Sequence, residues 1–447
     1  MKNKLSRRNF LRTTVLGTVG FVTVPAFISS CKETKTFDPY RKRIGFIGLG
    51  QQAMYLLWGF MSLPGVEVVA GCDVYGIKRE RFMKRVTDHY SKSEDEKLRS
   101  LKISVYSDYK EMLKRDDIDA VIIAVPDHSH AFIAIDACNA KKDVYLEKPL
   151  TFTVKEGREL SNAVHRNNVV LAVGSQQRSS EEFQHAVKLV QDGKLGKISK
   201  VIAHVGGPPV PYNLPEQEIP ADLDWKAWLG SSYYRLHYNE KLNPMVSLDP
   251  EKNETFWAEW RYITEVGGGF TTDWGAHMFD IVQWALGKDD SGPQTVKPVD
   301  IDGEKFLHYR YFNGPNIPAE GTLVTSERYD GDRKGCKFFG ENGWISVERG
   351  HFVASNPEWN LQSKGEVNDM PFETKIPHLA NFIKACREKI DPVVPVEIGH
   401  RTCTVCNIGN IAFELDRELT WNPQTEKFTD EDANKKLTRP YAPGYSI

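Results

Sequence analysis

Long apolar runs, repeats and a one-sided charge balance are all missing from this sequence of 447 residues. The formal net charge is −2 and no sustained basic stripe is present, which excludes electrostatic binding to nucleic acid. The apolar run from Thr13 to Ile28 is too short for a membrane-spanning helix. No internal repeat or low-complexity tract occurs, which excludes a repeat architecture. What remains is a globular chain that is 40% hydrophobic and long enough for two domains.

Cysteine is also scarce. The seven cysteines do not have the spacing of a disulfide framework. Cys403 and Cys406 have the separation of a redox or metal pair, but they lie in the helical-looking stretch Glu397–Leu419 and have no second pair nearby. We therefore predict neither a metal site nor a redox site in this chain.

The N-terminus has the pattern of an export signal. The first 30 residues carry five basic side chains and no acid, and removing them takes the formal charge from −2 to −7. Ser6–Arg12 resembles a twin-arginine signal, and Ile28–Cys31 resembles a lipoprotein processing box. We predict a signal peptide over 1–30 and a tether over 31–42 that begins with lipidated Cys31. The protein would then be a periplasmic or membrane-anchored lipoprotein whose only membrane contact is that anchor. The alternative is a buried N-terminal hairpin or helix.

The first domain is predicted over 43–174, where β-type and amphipathic segments alternate as in a doubly wound parallel α/β sheet. The strands are expected at Arg43–Ile47, Val66–Cys72, Ile103–Tyr106, Ala120–Ala124, Asp143–Leu146 and Val169–Val173. Helices are expected to begin near Gln51, Gly76, Tyr109, Ser129 and Val154. Six strands in this alternation make a complete Rossmann domain.

The remaining residues, 175–447, predict an α+β domain for substrate binding and oligomerisation. A long segment rich in Pro, Trp and Tyr reaches Tyr262, and such a loop inside a compact domain is usually functional. The expected elements are helices over Ser180–Asp192, over Asp273–Leu286 and from Glu397, and strands over Ile198–Val205 and within Phe306–Val347. We expect a large, mostly antiparallel open sheet, and a C-terminal helix that packs back toward the Rossmann domain.

A glycine turn follows the first strand, at Gly48-Leu-Gly50-Gln-Gln-Ala53. Gly48 permits the tight turn, Gly50 lets the backbone approach a pyrophosphate, and Ala53 permits close packing of helix on strand. Asp73 ends the second strand, where a carboxylate can bond both ribose hydroxyls of NAD and would repel the 2′-phosphate of NADP. NAD is therefore the predicted cofactor, with NADP not excluded. The alternative for Asp73 is a helix cap.

Two further clusters follow neighbouring strands, at the sheet edge where ligands bind. They are Pro126, His128 and His130 after the fourth strand, and Glu147, Lys148 and Pro149 after the fifth. Cofactor contact and helix capping are equally open for the two histidines. A lysine at the mouth of a dinucleotide crevice, fixed by a following proline, can donate to a substrate hydroxyl and favour its alkoxide during hydride loss.

Taken together, these motifs resemble the glucose-fructose oxidoreductase and inositol dehydrogenase family, Gfo/Idh/MocA, over essentially the whole mature chain. The motifs are the glycine turn, Pro126 to His130, Glu147-Lys148-Pro149 and Asp273-Trp-Gly-Ala-His277. Gly399-His-Arg401 and Trp421-Asn-Pro423 resemble segments of its exported bacterial branch. The resemblance implies that His277 is an acid/base, that Asp273 orients or assists it, and that Lys148 completes the proton network.

The local sequence allows that chemistry. Asp273 and His277 are four residues apart, so on a helix starting near Thr272 they share one face. A capped helix with a buried core histidine is the alternative. Gln176 and Arg178 resemble the family segment that touches the nicotinamide and the substrate, although Arg178 could equally form a surface ion pair.

The predicted function is NAD(P)-dependent hydride transfer at a hydroxyl or keto group of a sugar, glycoside or polyol. The predicted catalytic residues are Lys148, Asp273 and His277, and these three with Arg178 are the predicted substrate contacts. The predicted cofactor contacts are Gly48, Gly50, Gln51, Gln52, Asp73, Pro126, His128, His130, Glu147, Lys148 and Gln176. The alternatives are redox-neutral glycoside cleavage through a keto sugar and, third, a non-catalytic sugar-binding lipoprotein.

Export and sheet type add two expectations. Free NAD is expected to be scarce outside the cytoplasm, so an exported enzyme should hold its cofactor tightly and regenerate it in each cycle. The open antiparallel sheet offers a face that a second subunit could cover, so we expect a homo-oligomer.

Overall fold

The fold is described by a computed structural model for residues 40–249, 257–328, 333–361 and 376–447. The predicted signal peptide over 1–30, the predicted lipidation site Cys31 and most of the predicted tether lie outside these residues. Within them, no helix combines the length and apolar character needed to cross a membrane.

The N-terminal part of the described chain forms a six-stranded parallel sheet with the order β3-β2-β1-β4-β5-β6. Its strands are β1 (Lys42–Ile47), β2 (Val66–Cys72), β3 (Ser104–Tyr106), β4 (Ala120–Ile123), β5 (Asp143–Leu146) and β6 (Leu171–Val173). The intervening helices are α1 (Gln51–Met61), α2 (Gly76–Ser91), α3 (Glu96–Arg99), α4 (Tyr109–Leu113), α5 (Asp127–Asn139) and α6 (Val154–Asn167). The strand order reverses between β1 and β4, so the loops after these strands border the ligand crevice of a doubly wound fold. The predicted α/β class is confirmed.

Burial and capping explain why these segments adopt this structure. β2 and β5 are buried along their whole length, as expected for strands covered by helices on both faces of a parallel sheet. Two apolar clusters fill those faces. α6 begins with a capping box in which Thr153 and Glu156 each accept the other's backbone N–H, and it ends at Asn168 in the left-handed region with φ 52°.

The second part of the described chain contains a nine-stranded sheet with the order β13-β12-β11-β7-β10-β9-β8-β14-β15. Its strands are β7 (Ile198–Ala203), β8 (Thr295–Ile301), β9 (Glu304–Tyr311), β10 (Thr322–Thr325), β11 (Gly335–Gly340), β12 (Gly343–Glu348), β13 (His351–Ala354), β14 (Leu419–Asn422) and β15 (Lys427–Phe428). The helices of this part are α7 (Glu181–Gln191), α8 (Trp225–Leu229), α9 (Gly269–Asp273), α10 (Gly275–Ala285), α11 (Ile376–Glu388), α12 (Val396–Leu415) and α13 (Glu431–Lys435). Only β7 and β10 pair in parallel, so the predicted mostly antiparallel sheet is confirmed.

Two late helices return to the Rossmann sheet. Apolar residues of α11, including Leu379 and Phe382, join the cluster that contains α1. α12 contributes Cys403 to the cluster on the other face of that sheet and Val405 to the core of the second sheet. The Cys403 thiol donates to the carbonyl of Thr151 at 3.0 Å, so this cysteine is a packed core residue. α12 therefore packs into both cores.

Some elements differ from the prediction. β8 lies before the predicted β region and was not predicted. Pro298 interrupts its alternation of apolar and polar residues, and only Val296 is fully buried. α11 was not predicted, although Leu379, Phe382 and Ile383 have helical spacing and are buried.

Candidate active site

The glycine turn between β1 and α1 has the geometry of a pyrophosphate site. Gly48 has φ +81°, and a Cβ there would lie 2.6 Å from the carbonyl oxygen of Ala124, so only glycine fits. A Cβ on Gly50 would meet nothing within 4 Å, so the space above this residue is open. α1 begins directly after Gly50, without a capping side chain and without an acidic residue in its first turn. A helix N-terminus of this kind attracts an anion, so the residues present fit a dinucleotide.

Asp73 is held beside that turn by two backbone amides. Its Oδ2 accepts from Leu49 N at 2.7 Å, and its Oδ1 accepts from Tyr75 N at 2.9 Å. The second bond is a local turn and not the helix cap considered as the alternative, because the N-cap of α2 is Tyr75 and this helix has no side-chain cap bond. Asp73 also lines the cavity described next. The carboxylate is thus fixed at the end of β2 and would be the group that holds the ribose hydroxyls of a dinucleotide.

A cavity of about 760 Å³ runs from the glycine turn to the second part of the chain. Its lining includes the predicted residues Gly48, Gly50, Gln51, Gln52, Asp73, Pro126, His130, Glu147, Lys148, Gln176, Asp273 and His277. The structure therefore brings together the cofactor motif and the three predicted catalytic residues, although 125 positions separate Lys148 from Asp273.

Lys148 and Asp273 form the central ion pair of this cavity. Lys148 Nζ lies 2.6 Å from Asp273 Oδ1 and also donates to the Asp273 carbonyl oxygen at 3.0 Å. Arg261 Nε lies 4.0 Å from the same carboxylate oxygen. Burial raises the pKa of Asp273, but the charges of Lys148 and Arg261 outweigh burial and hold the pKa below its usual range. Asp273 therefore remains an anion that positions the lysine ammonium.

His277 reaches the cavity from a second helix. We predicted one helix carrying both Asp273 and His277, but α9 ends at Asp273 and α10 begins at Gly275, with Trp274 between them. The amides of His277 and Met278 both bond to the Trp274 carbonyl, which starts the new helix. The rings of Trp274 and His277 lie 5.8 Å apart in an edge-to-face contact, which orients the imidazole.

Glu147 and Gln176 complete the wall between β5 and β6. Gln52 Nε2 donates to Glu147 Oε1 at 2.8 Å, which connects α1 with the end of β5. A Cβ on Gly174 would lie 2.8 Å from the Glu147 carboxylate, so this glycine makes room for the side chain. Gln176 Nε2 donates to the Tyr145 hydroxyl at 3.3 Å.

The two histidines after β4 have different positions. His130 lines the cavity, and its two ring nitrogens lie 2.7 Å from the Pro149 carbonyl and 2.9 Å from the Val125 carbonyl. His128 does not line the cavity, because its ring is buried against the carbonyls of Trp228 and Val266. Burial lowers the pKa of each histidine to about 4, so both are neutral groups that tie loops together. The predicted cofactor contact of His128 is therefore corrected to a structural role.

Arg178 also lies elsewhere than predicted. Its guanidinium is 2% exposed and makes two bonds to the Asp280 carboxylate, at 2.8 Å each, and two to the Asp289 carboxylate, at 2.8 and 2.7 Å. All of its strong donors point at these two acids, and Arg178 does not line the cavity. The predicted substrate contact is corrected to a buried ion-pair cluster, whose partners lie over 100 residues away in sequence.

Asp127 is a cavity residue that the sequence analysis did not single out. It is the first residue of α5, is 4% exposed and accepts a hydrogen bond from the backbone of Gly268. Burial and the neighbouring Asp273 raise its pKa to about 7, and Lys148 and Arg261 offset this only in part. Its place between Pro126 and His128 in a motif that we had already recognised was the available signal.

Two arginines from the second part of the chain also escaped prediction. Arg261 lies against the rings of Trp257 and Trp260, with its Cζ 4.8 and 4.4 Å from their centroids. Arg349 follows β12, and its Cζ lies 4.7 Å over the ring of Trp274. Both line the cavity. No local pattern marks them, since only the tertiary fold brings them to Lys148.

Comparison with known proteins identifies the family. The model of the oxidoreductase family with an NAD-binding Rossmann fold, Gfo/Idh/MocA, matches residues 42–175, and the model of its C-terminal alpha/beta domain matches residues 182–447. The chain belongs to the Gfo/Idh/MocA family. Its N-terminal part is thus an NAD-binding Rossmann domain, and the cavity that begins at Gly48 is its cofactor site.

Curated relatives of this Gfo/Idh/MocA chain carry a different activity in their names. It is 27% identical over 214 residues to a glycosyl hydrolase family 109 protein of Shewanella baltica strain OS185. It is equally similar to an alpha-N-acetylgalactosaminidase of Shewanella oneidensis. In both cases the match covers 44% of this chain and 45% of the relative, so it spans about half the length of these proteins.

Solved structures with this fold include dehydrogenases. A scyllo-inositol dehydrogenase from Lactobacillus casei with bound NAD(H) and scyllo-inositol has a TM-score of 0.55 at 16% identity, covering 85% of this chain and 99% of that one. A levoglucosan dehydrogenase in complex with NADH has a TM-score of 0.58 at 18% identity, covering 85% of this chain and 98% of that one. At this identity the likeness shows the shared Gfo/Idh/MocA fold.

Proposed function

We propose that this protein is an NAD-dependent oxidoreductase that acts on a CH–OH group of a sugar, glycoside or polyol. One observation carries the proposal: Lys148, paired with Asp273, and His277 line the same cavity as the glycine turn of the cofactor site. The sugar and inositol dehydrogenases that share the fold support this substrate class.

The chain's own residues would handle the proton. When bound, NAD supplies the hydride acceptor or donor. Lys148 donates a hydrogen bond to the oxygen of the reacting hydroxyl and stabilises negative charge that develops on it. His277 accepts the hydroxyl proton and returns it in the reverse direction. Asp273 holds the Lys148 ammonium through a 2.6 Å contact, so the donor is in place before substrate binds.

The test is substitution of Lys148 and His277 in separate variants. We expect Lys148→Ala and His277→Ala to keep NAD bound, because the other predicted cofactor contacts, including the glycine turn and Asp73, are unchanged. Turnover of an active sugar should fall about 10²- to 10⁴-fold, the usual contribution of a positioned proton-transfer group. Activity equal to that of the wild type in either variant would remove that residue from the mechanism.

Redox-neutral glycoside cleavage is the second candidate, because the curated relatives are named as glycosyl hydrolase family 109 proteins and an alpha-N-acetylgalactosaminidase. It uses the same first step, oxidation of a ring hydroxyl, followed by elimination of the glycosidic group, addition of water and re-reduction. Product analysis separates the two candidates. Accumulation of a keto sugar supports net redox chemistry, whereas a released sugar without net change in NAD supports cleavage.

We further propose that the cofactor stays on the protein. A segment over 222–243, which includes α8, docks on the β2–α2 loop of the Rossmann domain. Gly76 N donates to the Asp222 carbonyl at 2.8 Å, and Asp224 N donates to the Val74 carbonyl at 3.1 Å. Lys78 Nζ donates to Asn243 Oδ1 at 2.5 Å across the same junction. These contacts would close the ribose end of the cavity over a bound dinucleotide. Denaturing the protein purified without added cofactor should release nicotinamide, and its absence would contradict retention.

Export and lipidation belong to the same proposal. Ser6–Arg12 and Ile28–Cys31 support a twin-arginine lipoprotein of the exported branch, and a folded protein carrying its NAD is the kind of cargo that this route transports. Replacing Arg7 and Arg8 with lysine should retain the protein inside the cell, and Cys31→Ala should release it from the membrane fraction. Unchanged fractionation of both variants would contradict export by this route.

A further inference from the structure

Arg349 occupies a distinctive place in the cavity. Its guanidinium covers one side of the Trp274 ring, and the same indole contacts His277 edge to face. Arg349 and Lys148 both line the one cavity, and both are close enough to Asp273 for their charges to act on it.

Arg349 lacks the carboxylate partner that a desolvated guanidinium normally has. Its Nε is buried and has no hydrogen-bond partner, and no acid among the described residues is hydrogen-bonded to it. Burial lowers its pKa, and Asp273, Glu147 and Glu182 counteract this only through space. Arg178 shows the contrast, because its buried guanidinium is bonded to two carboxylates. A cation placed in a cavity in this way is suited to an anion from outside the chain.

The charges nearby indicate what kind of anion fits. The cations at this end of the cavity are Lys148, Arg261 and Arg349. The acids that line it are Asp127, Glu147 and Asp273, and Glu182 also acts on Arg349 through space. Asp127, with its pKa raised to about 7, is only partly ionised at neutral pH. The other three acids already equal the three cations in number, so this end of the cavity has no surplus of positive charge for a dianion. A monoanion such as a carboxylate fits there better than a phosphate dianion.

We propose that Arg349 binds the carboxylate of an acidic sugar, a uronic or aldonic acid, whose hydroxyl lies between Lys148 and His277. This inference rests on the proposed function of the site and specifies its substrate class. Asp273 does not replace the missing partner, because its carboxylate already bonds to Lys148 at 2.6 Å. The Arg349 Cζ lies 4.7 Å from the Trp274 ring centroid, and a planar guanidinium has paired N–H donors that match the two oxygens of a carboxylate.

Calorimetric binding to the cofactor-containing protein tests the inference with three matched pairs: D-glucuronate against D-glucose, D-galacturonate against D-galactose, and D-gluconate against D-sorbitol. The wild type should bind the acid of at least one pair about 10- to 100-fold more tightly, as expected for a charge-assisted hydrogen bond. Arg349→Met should reduce that preference to about one, and Arg349→Lys should retain part of it. Binding of D-glucose 6-phosphate, measured in the same way, shows whether the site prefers a phosphate to a carboxylate.

Arg417→Gln is the matched control, because Arg417 forms an exposed ion pair with Asp430 far from the described cavity lining. It should keep the full preference for acids. The same thermal unfolding midpoint and NAD content in the Arg349 variants shows that they are folded. No preference for any acid in the wild type, or a preference that survives Arg349→Met, overturns the inference. Tighter binding of the sugar phosphate than of every carboxylate overturns the carboxylate assignment.

Binding and turnover separate this inference from the proposed function. If acidic sugars bind through Arg349 but neither oxidation nor cleavage follows, the proposed function fails and the binding site stands. If neutral sugars are turned over and acids have no advantage, the proposed function stands and the Arg349 assignment fails.

Discussion

At the scale of single residues, the charged side chains of and around the site differ in whether an oppositely charged group neutralises them. Lys148 and Asp273 satisfy each other, Arg178 is neutralised away from the cavity, and Asp127 is a buried acid near a second acid. Asp127 and Asp273 show the effect of environment, because the same residue type has a raised pKa at one position and a lowered pKa at the other. These environments place Arg178 in the core and give Asp127 a raised pKa, and they fit the substrate role that we propose for Lys148.

Asp127 makes stability depend on pH in a direction that follows from its pKa. The folded protein raises this pKa from an ordinary 3.8 to about 7, so the folded state binds the proton more tightly than the unfolded state. The stabilisation is complete below the ordinary pKa and is lost as the pH rises toward 7. Asp127→Asn stays neutral, so its free energy of unfolding relative to the wild type should increase between about pH 5 and pH 8. Denaturant titrations at both pH values measure this; a difference independent of pH would contradict the raised pKa.

Arg178 gives a prediction that separates a structural role from a substrate contact. Arg178→Met leaves Asp280 buried without its cation, so the free energy of unfolding should fall by about 3–5 kcal/mol. Because Arg178 does not line the cavity, KM for an active sugar should stay near the wild-type value in the folded fraction. A large rise in KM at unchanged stability would restore the original substrate-contact prediction.

At the scale of elements, the start of α1 can be tested with two glycines. A Cβ at Gly48 would clash with protein atoms, whereas a Cβ at Gly50 would enter open space. Gly48→Ala places a methyl group 2.6 Å from the Ala124 carbonyl at a φ of +81°, so both stability and NAD binding should decrease. Gly50→Ala meets no protein atom within 4 Å, so the fold should be kept while the methyl group occupies the space of the pyrophosphate. Thermal unfolding and bound NAD, measured together, should show this split. Full NAD content in folded Gly50→Ala would contradict the pyrophosphate position.

The same element shows what sequence can predict. The strand, the glycine turn and Asp73 are local, so their spacing was enough to locate the cofactor site. Lys148 was predicted from its place after the fifth strand, and the roles of Asp273 and His277 came from the family resemblance, which did not indicate the break at Trp274. Arg261 and Arg349 could not be found, because they reach the cavity only through packing of the second sheet and its loops. Arg178 was misplaced for the same reason, since its partners come from distant segments.

At the scale of the whole molecule, the segment that docks on the β2–α2 loop should control cofactor release. Asp222 Oδ2 accepts from Ile77 N at 2.8 Å, and Asp222→Ala removes this bond. We expect the variant to lose NAD faster during dialysis. Asp300→Ala is a suitable control, because Asp300 accepts only a local turn bond from Gly303 N. Equal retention in both variants would argue against a retaining role for this segment.

Oligomerisation is a further property of the whole molecule that stays a prediction. The helices pack on one face of the nine-stranded sheet of the described chain, as the shared core cluster shows. Lys337 and Trp344 lie on half-buried positions of that sheet and contact each other at 4.1 Å from ammonium to ring centroid. Light scattering should give a mass above that of one chain, and a monomer would contradict the expected homo-oligomer.

Direct hydride transfer is the central claim, and an isotope measurement tests it most directly. A sugar that the protein turns over is labelled with deuterium on the carbon that bears the reacting hydroxyl, and the retained cofactor is analysed by mass spectrometry after mixing. The account predicts deuterium in the nicotinamide of the wild type and almost none in Lys148→Ala at equal NAD content. Turnover without deuterium in the cofactor, or equal labelling in both proteins, would contradict it.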